Sequence, residues 1–196
     1  MAEKRNPSAV EITHTNIPYL DAAVEEILRC GPTVPGTMRD CTVDTVILGH
    51  RIPKDTHVFF FNQGASFREP ALPIEEKDRS ASCQATANGR GVREWAPHGM
   101  DDFRPERWLV QGDESSVEGD GLVFDSAAGP TMPFGLGIRA CYGRRLGYLE
   151  MRMLVALLVW NFELLPCPEE LSGYAAIDGM THKPKNSFVR LKAVCL

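Results

Sequence analysis

The sequence predicts an α+β fold that is mainly α-helical. Apolar residues recur at helical spacing over residues 16–30 and again over residues 144–161. Between these two segments the period changes to the short alternation that is typical of strands. The 196 residues are 43% hydrophobic and 24% charged, an ordinary globular composition that suits one domain or one piece of a larger domain.

The first predicted helix spans Asn16 to Cys30. Asn16 suits the N-cap and Pro18 suits the first turn, whereas Gly31 and Pro32 end the pattern. Every third or fourth position is apolar: Leu20, Ala23, Val24, Ile27 and Leu28. The spacing therefore predicts a helix that buries one face.

A small hairpin or sheet is predicted between Pro35 and Phe61, with turns at Gly49-His50 and at Pro53 to Asp55. Residues 62–99 lack periodicity, and the polar stretch Glu75 to Arg93 is expected to be surface loop with at most short helices. Phe103 to Leu109 is compact and aromatic, and the acidic segment Gln111 to Gly121 is expected to be a flexible link.

The last part of the chain combines a glycine-rich loop, a long helix and two strands. The loop Met132 to Gly143 leads directly into a helix from Arg144 to about Asn161. Apolar residues cover so much of this helix that we expect it to lie deep inside a larger body. The segments 162–165 and 187–194 are expected to pair as a C-terminal hairpin.

Charge and cysteine spacing exclude several functions. The formal charge of −5 argues against nucleic-acid binding, which needs a basic surface. No pair of the six cysteines has zinc-knuckle or CxxC spacing, so most are expected to be buried free thiols. The N-terminus has no secretory pattern, and the longest apolar run, Met153 to Trp160, falls well short of the ~20 residues that span a bilayer. The chain is therefore expected to be soluble and reduced.

The cysteine loop is the segment that carries chemistry. Gly135 and Gly137 allow a tight turn and the close approach of a flat partner, and Gly143 follows Cys141. Amide groups and the positive end of the next helix favour a thiolate at Cys141, and Arg139 adds a cation that can pair with a carboxylate. Phe134 offers an aromatic face near the sulfur.

Three interpretations of this loop remain open from the residues. A buried structural cysteine is the simplest for a lone Cys-Gly pair, but here five specified residue types occur within ten positions. A thiol nucleophile would need a positioned histidine, and nothing in the sequence ties one to Cys141. A metal site with one cysteine from the chain suits a ligand that brings its own further donors, as a porphyrin does.

At this point the sequence resembles the cytochrome P450 family. Phe134 to Gly143 matches the family's haem-binding pattern F-x-x-G-x-R-x-C-x-G, Glu26 to Arg29 matches E-x-x-R, and Phe103 to Trp108 matches the element that precedes the haem loop. The details of the loops are similar to fungal members of secondary metabolism. The resemblance runs from about Ile12 to Val194, with departures at Asp55, where the family usually has glycine, and at Gly147, where alanine is common.

The resemblance implies a role for each matching residue. Cys141 would be the axial ligand of a haem iron, Arg139 and Arg39 would pair with haem propionates, and Glu26, Arg29 and Arg107 would form a buried ion network. The remaining contacts to the cofactor would come from Phe134, Gly135, Gly137 and Gly143. Segments 34–38 and 178–181 match places where family members touch substrate.

For the chain as a whole, the resemblance implies a partial domain. Residues 1–196 would comprise helix K, a small β-sheet, the meander, the cysteine loop, helix L and the C-terminal hairpin. The N-terminal helices, including the oxygen-activating helix, would be absent. The parent activity would insert one oxygen atom from O2 into a small apolar organic substrate, with electrons from NADPH through a cytochrome P450 reductase, usually at the endoplasmic reticulum membrane.

The alternatives are a truncated, inactive family member or interaction module, and a thiol protein without haem. We expect this chain by itself to be inactive.

Overall fold

The structure, a computed structural model, describes residues 5–90, 93–112 and 121–194. Within these ranges the α-helices are α1 (Ala9–His14), α2 (Pro18–Cys30), α3 (Ala81–Arg90) and α4 (Arg144–Asn161). The strands are β1 (Gly36–Asp40), β2 (Thr45–Ile47), β3 (His50–Ile52), β4 (His57–Phe61), β5 (Leu109–Gln111), β6 (Leu122–Phe124), β7 (Phe162–Leu165), β8 (Ala176–Asp178), β9 (His182–Pro184) and β10 (Arg190–Ala193). Short 3₁₀ turns lie at Glu76–Asp78, Pro105–Trp108, Gly137–Arg139 and Glu169–Leu171. The predicted α+β fold is confirmed.

The N-terminal helix α1 was not predicted from the sequence. Ser8 caps it, because the Ser8 side chain accepts from the Glu11 amide while the Glu11 carboxylate accepts from the Ser8 amide. This reciprocal pair is a capping box, and its Ser-x-x-Glu spacing was the sequence signal for a helix start. The helix buries Ile12 and packs against α4.

Helix α2 is the predicted first long helix, but it begins two residues later than expected. Its N-cap is Ile17, which makes no side-chain capping bond, so the prediction of Asn16 as the cap is wrong. Pro18 occupies the first turn, where its missing N–H has no helical partner to lose. The helix ends as predicted at Cys30, before Gly31.

All five sheets within the described ranges are antiparallel pairs. β1 pairs with β4 and β2 with β3, so the predicted small sheet of 36–61 is two nested hairpins. β7 pairs with β10, as predicted, and the hairpin β8–β9 lies between them in the chain. Asp55 has a φ of 65°, so it takes the left-handed turn conformation that the family's glycine would adopt.

One middle segment differs from the sequence expectation, and a second is not tested. The stretch expected to be surface loop contains α3, a helix of ten residues. The expected flexible link is bounded by a paired β5 and β6, with Gln111 opposite Leu122, and residues 113–120 lie outside the described residues. Short strands with little alternation carry a weak sequence signal.

The buried core sits where α2 meets the segment before the cysteine loop. Ala22, Trp95, Met100 and Trp108 form one apolar cluster, and Trp95 contacts Trp108 edge-to-face at 4.8 Å between ring centroids. Leu109, Phe124 and Ala128 pack against it. This cluster holds α2 against the segment that leads into the cysteine loop.

Helix α4 spans the predicted residues, and the expectation that it lies deep inside a larger body stays a prediction. No residue of α4 is buried, and Leu146 and Leu154 are 58% and 68% exposed. Among the described elements, α1, α2 and β7 make its main contacts, and they cover only part of its apolar surface. No helix in the described ranges is long and apolar enough to cross a membrane.

Candidate functional site

Two glycines in the left-handed region shape the cysteine loop. Gly135 has a φ of 67° and Gly137 a φ of 69°, values that residues with a Cβ rarely adopt. The chain then makes a single 3₁₀ turn and folds back, so that the Cys141 amide donates to the Phe134 carbonyl at 2.7 Å. The Cys141 side chain is left exposed, three residues before the first residue of α4.

The sequence predicted that amide groups near Cys141 favour a thiolate, but the amides of Cys141 and Arg144 donate to backbone carbonyls instead. The Cys141 N–H serves the Phe134 carbonyl, and the Arg144 N–H donates to the Cys141 carbonyl at 3.3 Å. Gly143 is the N-cap residue of α4, and a Cβ placed on it would lie 3.8 Å from Cys141 Sγ. The thiol therefore lies at a helix N-terminus, where the helix dipole favours negative charge, with its sulfur open to a ligand.

The Phe134 ring packs against two neighbouring residues of α4. Its centroid lies 5.2 Å from that of Tyr148, and a Cβ built on Gly147 would approach the Phe134 ring to 3.2 Å. That distance is tighter than ordinary van der Waals contact. Gly147, where the family commonly has alanine, therefore makes room for the aromatic ring beside the cysteine loop.

A cavity of about 510 Å³ opens next to the sulfur. Its walls come from five parts of the chain: Leu28 of α2; Thr33, Val34 and Thr37 at β1; Asn62 after β4; Pro133, Phe134, Gly135, Arg139 and Cys141 of the loop; and Gly147, Glu150 and Met151 of α4. Where the chain is described, no three His, Cys, Asp or Glu residues are grouped to hold a metal ion. A single exposed thiol beside an apolar cavity fits a metal that arrives with its own donors, and haem is such a group.

The two arginines predicted to meet propionates occupy different positions. Arg139 lines the cavity, and in the described part of the chain no carboxylate lies within 4.0 Å of its guanidinium. Arg39 is exposed on β1, and its Nη1 donates to the Met38 carbonyl at 2.8 Å. Thr37 and Arg39 share one face of the strand, because side chains alternate along it. Arg39 thus lies on the cavity side but is not among the lining residues.

Glu26 is the centre of a buried ion network. Its carboxylate accepts from Arg29 Nε and Nη2 at 2.8 Å each and from Arg107 Nε at 3.0 Å. The side chains of Glu26 and Arg29 are 0% and 1% exposed. The structure therefore brings together Glu26, Arg29 and Arg107, the three residues that the sequence grouped.

Sequence reasoning missed two further donors to Glu26. Trp108 Nε1 donates at 2.9 Å and the Arg104 amide at 2.9 Å. Burial raises the pKa of Glu26, but the hydrogen bonds from Arg29, Arg104 and Trp108 outweigh it, so the pKa lies below its ordinary value. Trp108 was visible in the matched motif, but its partner only follows from the packing of α2 on the Pro105–Trp108 turn.

A second buried carboxyl, Glu25, was also missed. It is 4% exposed, and its Oε1 accepts from the Tyr148 hydroxyl at 2.7 Å. Its Oε2 has no hydrogen-bond partner in the described structure. Burial raises the pKa of Glu25 above its ordinary value, against the opposing effects of Tyr148 and Arg144.

Comparison with known proteins identifies the family. The family described as "Cytochrome P450" matches residues 3–70 and 96–187. The chain belongs to the cytochrome P450 family, as its resemblance predicted. The unmatched interval of 71–95 contains α3.

Curated relatives of high similarity are fungal. "Cytochrome P450 monooxygenase TRI13" of Fusarium sporotrichioides is 45% identical over all of this chain, which covers 34% of that relative. "Hps1-dma1 cluster cytochrome P450 monooxygenase cyp3.1" of Dothistroma septosporum is 44% identical over 96% of this chain, which covers 62% of that relative. The chain thus spans about a third to three fifths of these two proteins.

Solved structures agree on the fold. A crystal structure of a cytochrome P450 (CYP102L1) superposes with a TM-score of 0.60 at 26% identity, over 97% of this chain and 34% of the other. The cytochrome P450DA heme domain gives a TM-score of 0.62 at 20% identity, over 99% of this chain and 34% of the other. The fold is therefore that of one third of a P450 domain.

Proposed function

We propose that Cys141 is the thiolate ligand of a haem iron and that the protein is a monooxygenase. The observation that carries this proposal is that Cys141 is exposed just before the N-terminus of α4, beside a cavity of about 510 Å³. Membership of the P450 family implies haem. No residue cluster among those described offers a rival metal site.

The surroundings of Cys141 suit a flat, doubly acidic cofactor. Gly135 lines the cavity without adding a side chain to it, and Phe134 lines it alongside. Arg139, without a carboxylate partner in the described residues, would pair with one propionate, and Arg39 would take the other after leaving the Met38 carbonyl. Bound haem would supply oxygen activation, which a cysteine thiolate favours by donating electron density to the iron.

The reaction we propose inserts one oxygen atom from O2 into a small apolar organic substrate. Electrons would come from NADPH through a cytochrome P450 reductase. Val34 and Thr37 line the cavity, and the β8–β9 hairpin is tied beside them by the bond from the His182 amide to the Thr33 carbonyl at 2.7 Å. Both segments would contact the substrate. The names of the fungal relatives support a role in secondary metabolism.

The ligand assignment is tested by the carbon monoxide spectrum of the reduced protein, expressed from its complete gene. The thiolate-type shifted Soret band is expected for the wild type and should be lost in Cys141→Ala. The matched control is Cys41→Ala, which removes another free, half-buried thiol outside the cavity lining. Retention of the band in Cys141→Ala would refute the assignment, and a colourless wild type would favour a thiol protein without haem.

A second candidate is that residues 1–196, produced alone, are an inactive module. The observation that favours it is the apolar surface of α4, where Leu154 is 68% exposed, together with fully exposed Ile138 and Tyr142 in the cysteine loop. Apolar surface of this extent leads to association or aggregation. The isolated chain, given haem, NADPH and a competent reductase, should aggregate and form no product. Coupled product above the free-haem background would refute this candidate.

A further inference from the structure

One of the polar contacts between α2 and α4 involves a buried carboxyl, Glu25, to which the haem site proposed above gives no role. The Tyr148 hydroxyl of α4 donates to Glu25 Oε1 of α2 at 2.7 Å. Glu25 is 4% exposed, and its Oε2 is left without a partner in the described structure. Burying a carboxyl in this way is unfavourable for folding. A residue of this kind is more readily explained by a role in the site than by stability.

Two further contacts, both made by Phe134, connect Tyr148 to Cys141. The Tyr148 ring packs on the Phe134 ring at 5.2 Å between centroids, and a Cβ built on the adjacent Gly147 would lie 3.2 Å from the same ring. The carbonyl of the same Phe134 accepts the Cys141 amide at 2.7 Å. The side chain that Tyr148 positions and the carbonyl that fixes Cys141 therefore belong to one residue.

Arg144 completes the arrangement at the start of α4. Its guanidinium lies 5.5 Å from the centroid of the Tyr148 ring, on the helix turn that follows the cysteine. A cavity of about 130 Å³ lies along this path, lined by Glu25, Phe134, Gly135, Arg144 and Tyr148. The Phe134 ring therefore borders space that other side chains leave unfilled.

We propose that Glu25 is a positioning residue for the haem-thiolate ligand. It anchors the Tyr148 hydroxyl, which holds the Phe134 ring and with it the carbonyl that fixes Cys141. The inference rests on the proposed function, because it assigns Glu25 a part in the same thiolate site. The alternative is that Glu25 and Tyr148 only hold α2 against α4.

The experiment compares loss of the thiolate band with loss of the fold. The protein from the complete gene is reduced, bound to carbon monoxide and placed in urea below its unfolding transition. Tyr148→Phe keeps the ring but removes the anchor, and it should lose the thiolate band about two- to tenfold faster, the range expected for one hydrogen bond. Glu25→Leu should behave likewise.

Two variants separate positioning from packing. Glu25→Gln retains an oxygen that accepts from Tyr148, so it should lose the band at the wild-type rate. Asp21→Asn breaks the neighbouring ion pair between α2 and α4, Asp21 with Arg152, without touching Phe134. It should lower the unfolding midpoint and leave the rate of band loss unchanged.

The outcomes distinguish this inference from the proposed function. A wild type without the thiolate band would overturn both. A normal wild-type band, with Tyr148→Phe losing it no faster than the wild type, would overturn the positioning role alone. Equal acceleration by Asp21→Asn and Tyr148→Phe would also overturn it, because helix packing would then explain both.

Discussion

Replacing Arg29 by alanine should lower the free energy of unfolding by more than the loss of any exposed ion pair among the described residues. The Arg29 guanidinium donates to both Glu26 oxygens and to the carbonyls of Phe67, Met100 and Asp102, at 2.8 to 3.1 Å. The side chain is 1% exposed, so water does not replace these bonds when it is removed. The substitution leaves the carbonyls of Phe67 and Met100 and part of a buried carboxylate without their donor, whereas the Asp102 carbonyl still accepts from Arg107 Nη2 at 3.3 Å.

The expected loss of stability follows from the buried ion pair that the substitution breaks. Removing one partner of a buried ion pair costs about 3–5 kcal/mol, because the remaining charge stays in a medium of low polarity. Natural domains are stable by only about 5–15 kcal/mol. Arg29→Ala should therefore remove a large part of the free energy of unfolding, and haem retention should fall together with the fold.

Urea unfolding of the complete gene product, followed by circular dichroism and by haem absorbance, measures both effects. The matched control is Arg51→Ala, whose partner is Asp44 and whose side chain is 77% exposed. Such a surface pair contributes about 0–1 kcal/mol. The reasoning is refuted if Arg29→Ala loses no more stability than Arg51→Ala, or if it folds, keeps haem and is only slow in turnover.

Two further predictions concern the same network. Hydrogen bonds hold the pKa of Glu26 below its ordinary value, so its ionised form stabilises the fold above about pH 4 and this contribution is lost as the pH falls through the lowered pKa. The urea midpoint of the wild type should therefore fall more steeply between about pH 5 and pH 2 than that of Glu26→Gln, which cannot titrate, and equal slopes would contradict the prediction. Trp108→Phe removes the indole donor to Glu26 in a fully buried position and should cost about 1.5–3 kcal/mol in urea unfolding; an unchanged midpoint would show that this bond adds nothing.

The sequence alone determined the cysteine loop and the helix that follows it. Gly135 and Gly137 were identified as turn glycines, and both take positive φ. Helix α4 has the predicted bounds, because a long run of apolar residues at helical spacing is a strong local signal. The family followed from three ordered motifs, and the match over 3–70 and 96–187 confirms it.

Local signals also explain the errors. The capping box of α1 was present, but the helix that follows it has only six residues. Helix α3 carries few apolar residues to mark a buried face. The burial of α4 inside a larger body, predicted from its composition, stays a prediction, because burial depends on what packs against a helix. In the described structure the partners of α4 leave Leu146 and Leu154 exposed.

Only the tertiary structure decided which groups meet across long stretches of chain. Glu26 and Trp108 are 82 positions apart, and Glu25 and Tyr148 are 123 apart. A sequence pattern reports spacing along one helix or strand, but hydrogen bonds between elements depend on how those elements pack. The motif therefore predicted Cys141 and its glycines. The contacts from the buried carboxyl of Glu25 through Tyr148 and Phe134 to Cys141 depend on the packing of α2 against α4, which no local sequence pattern reports.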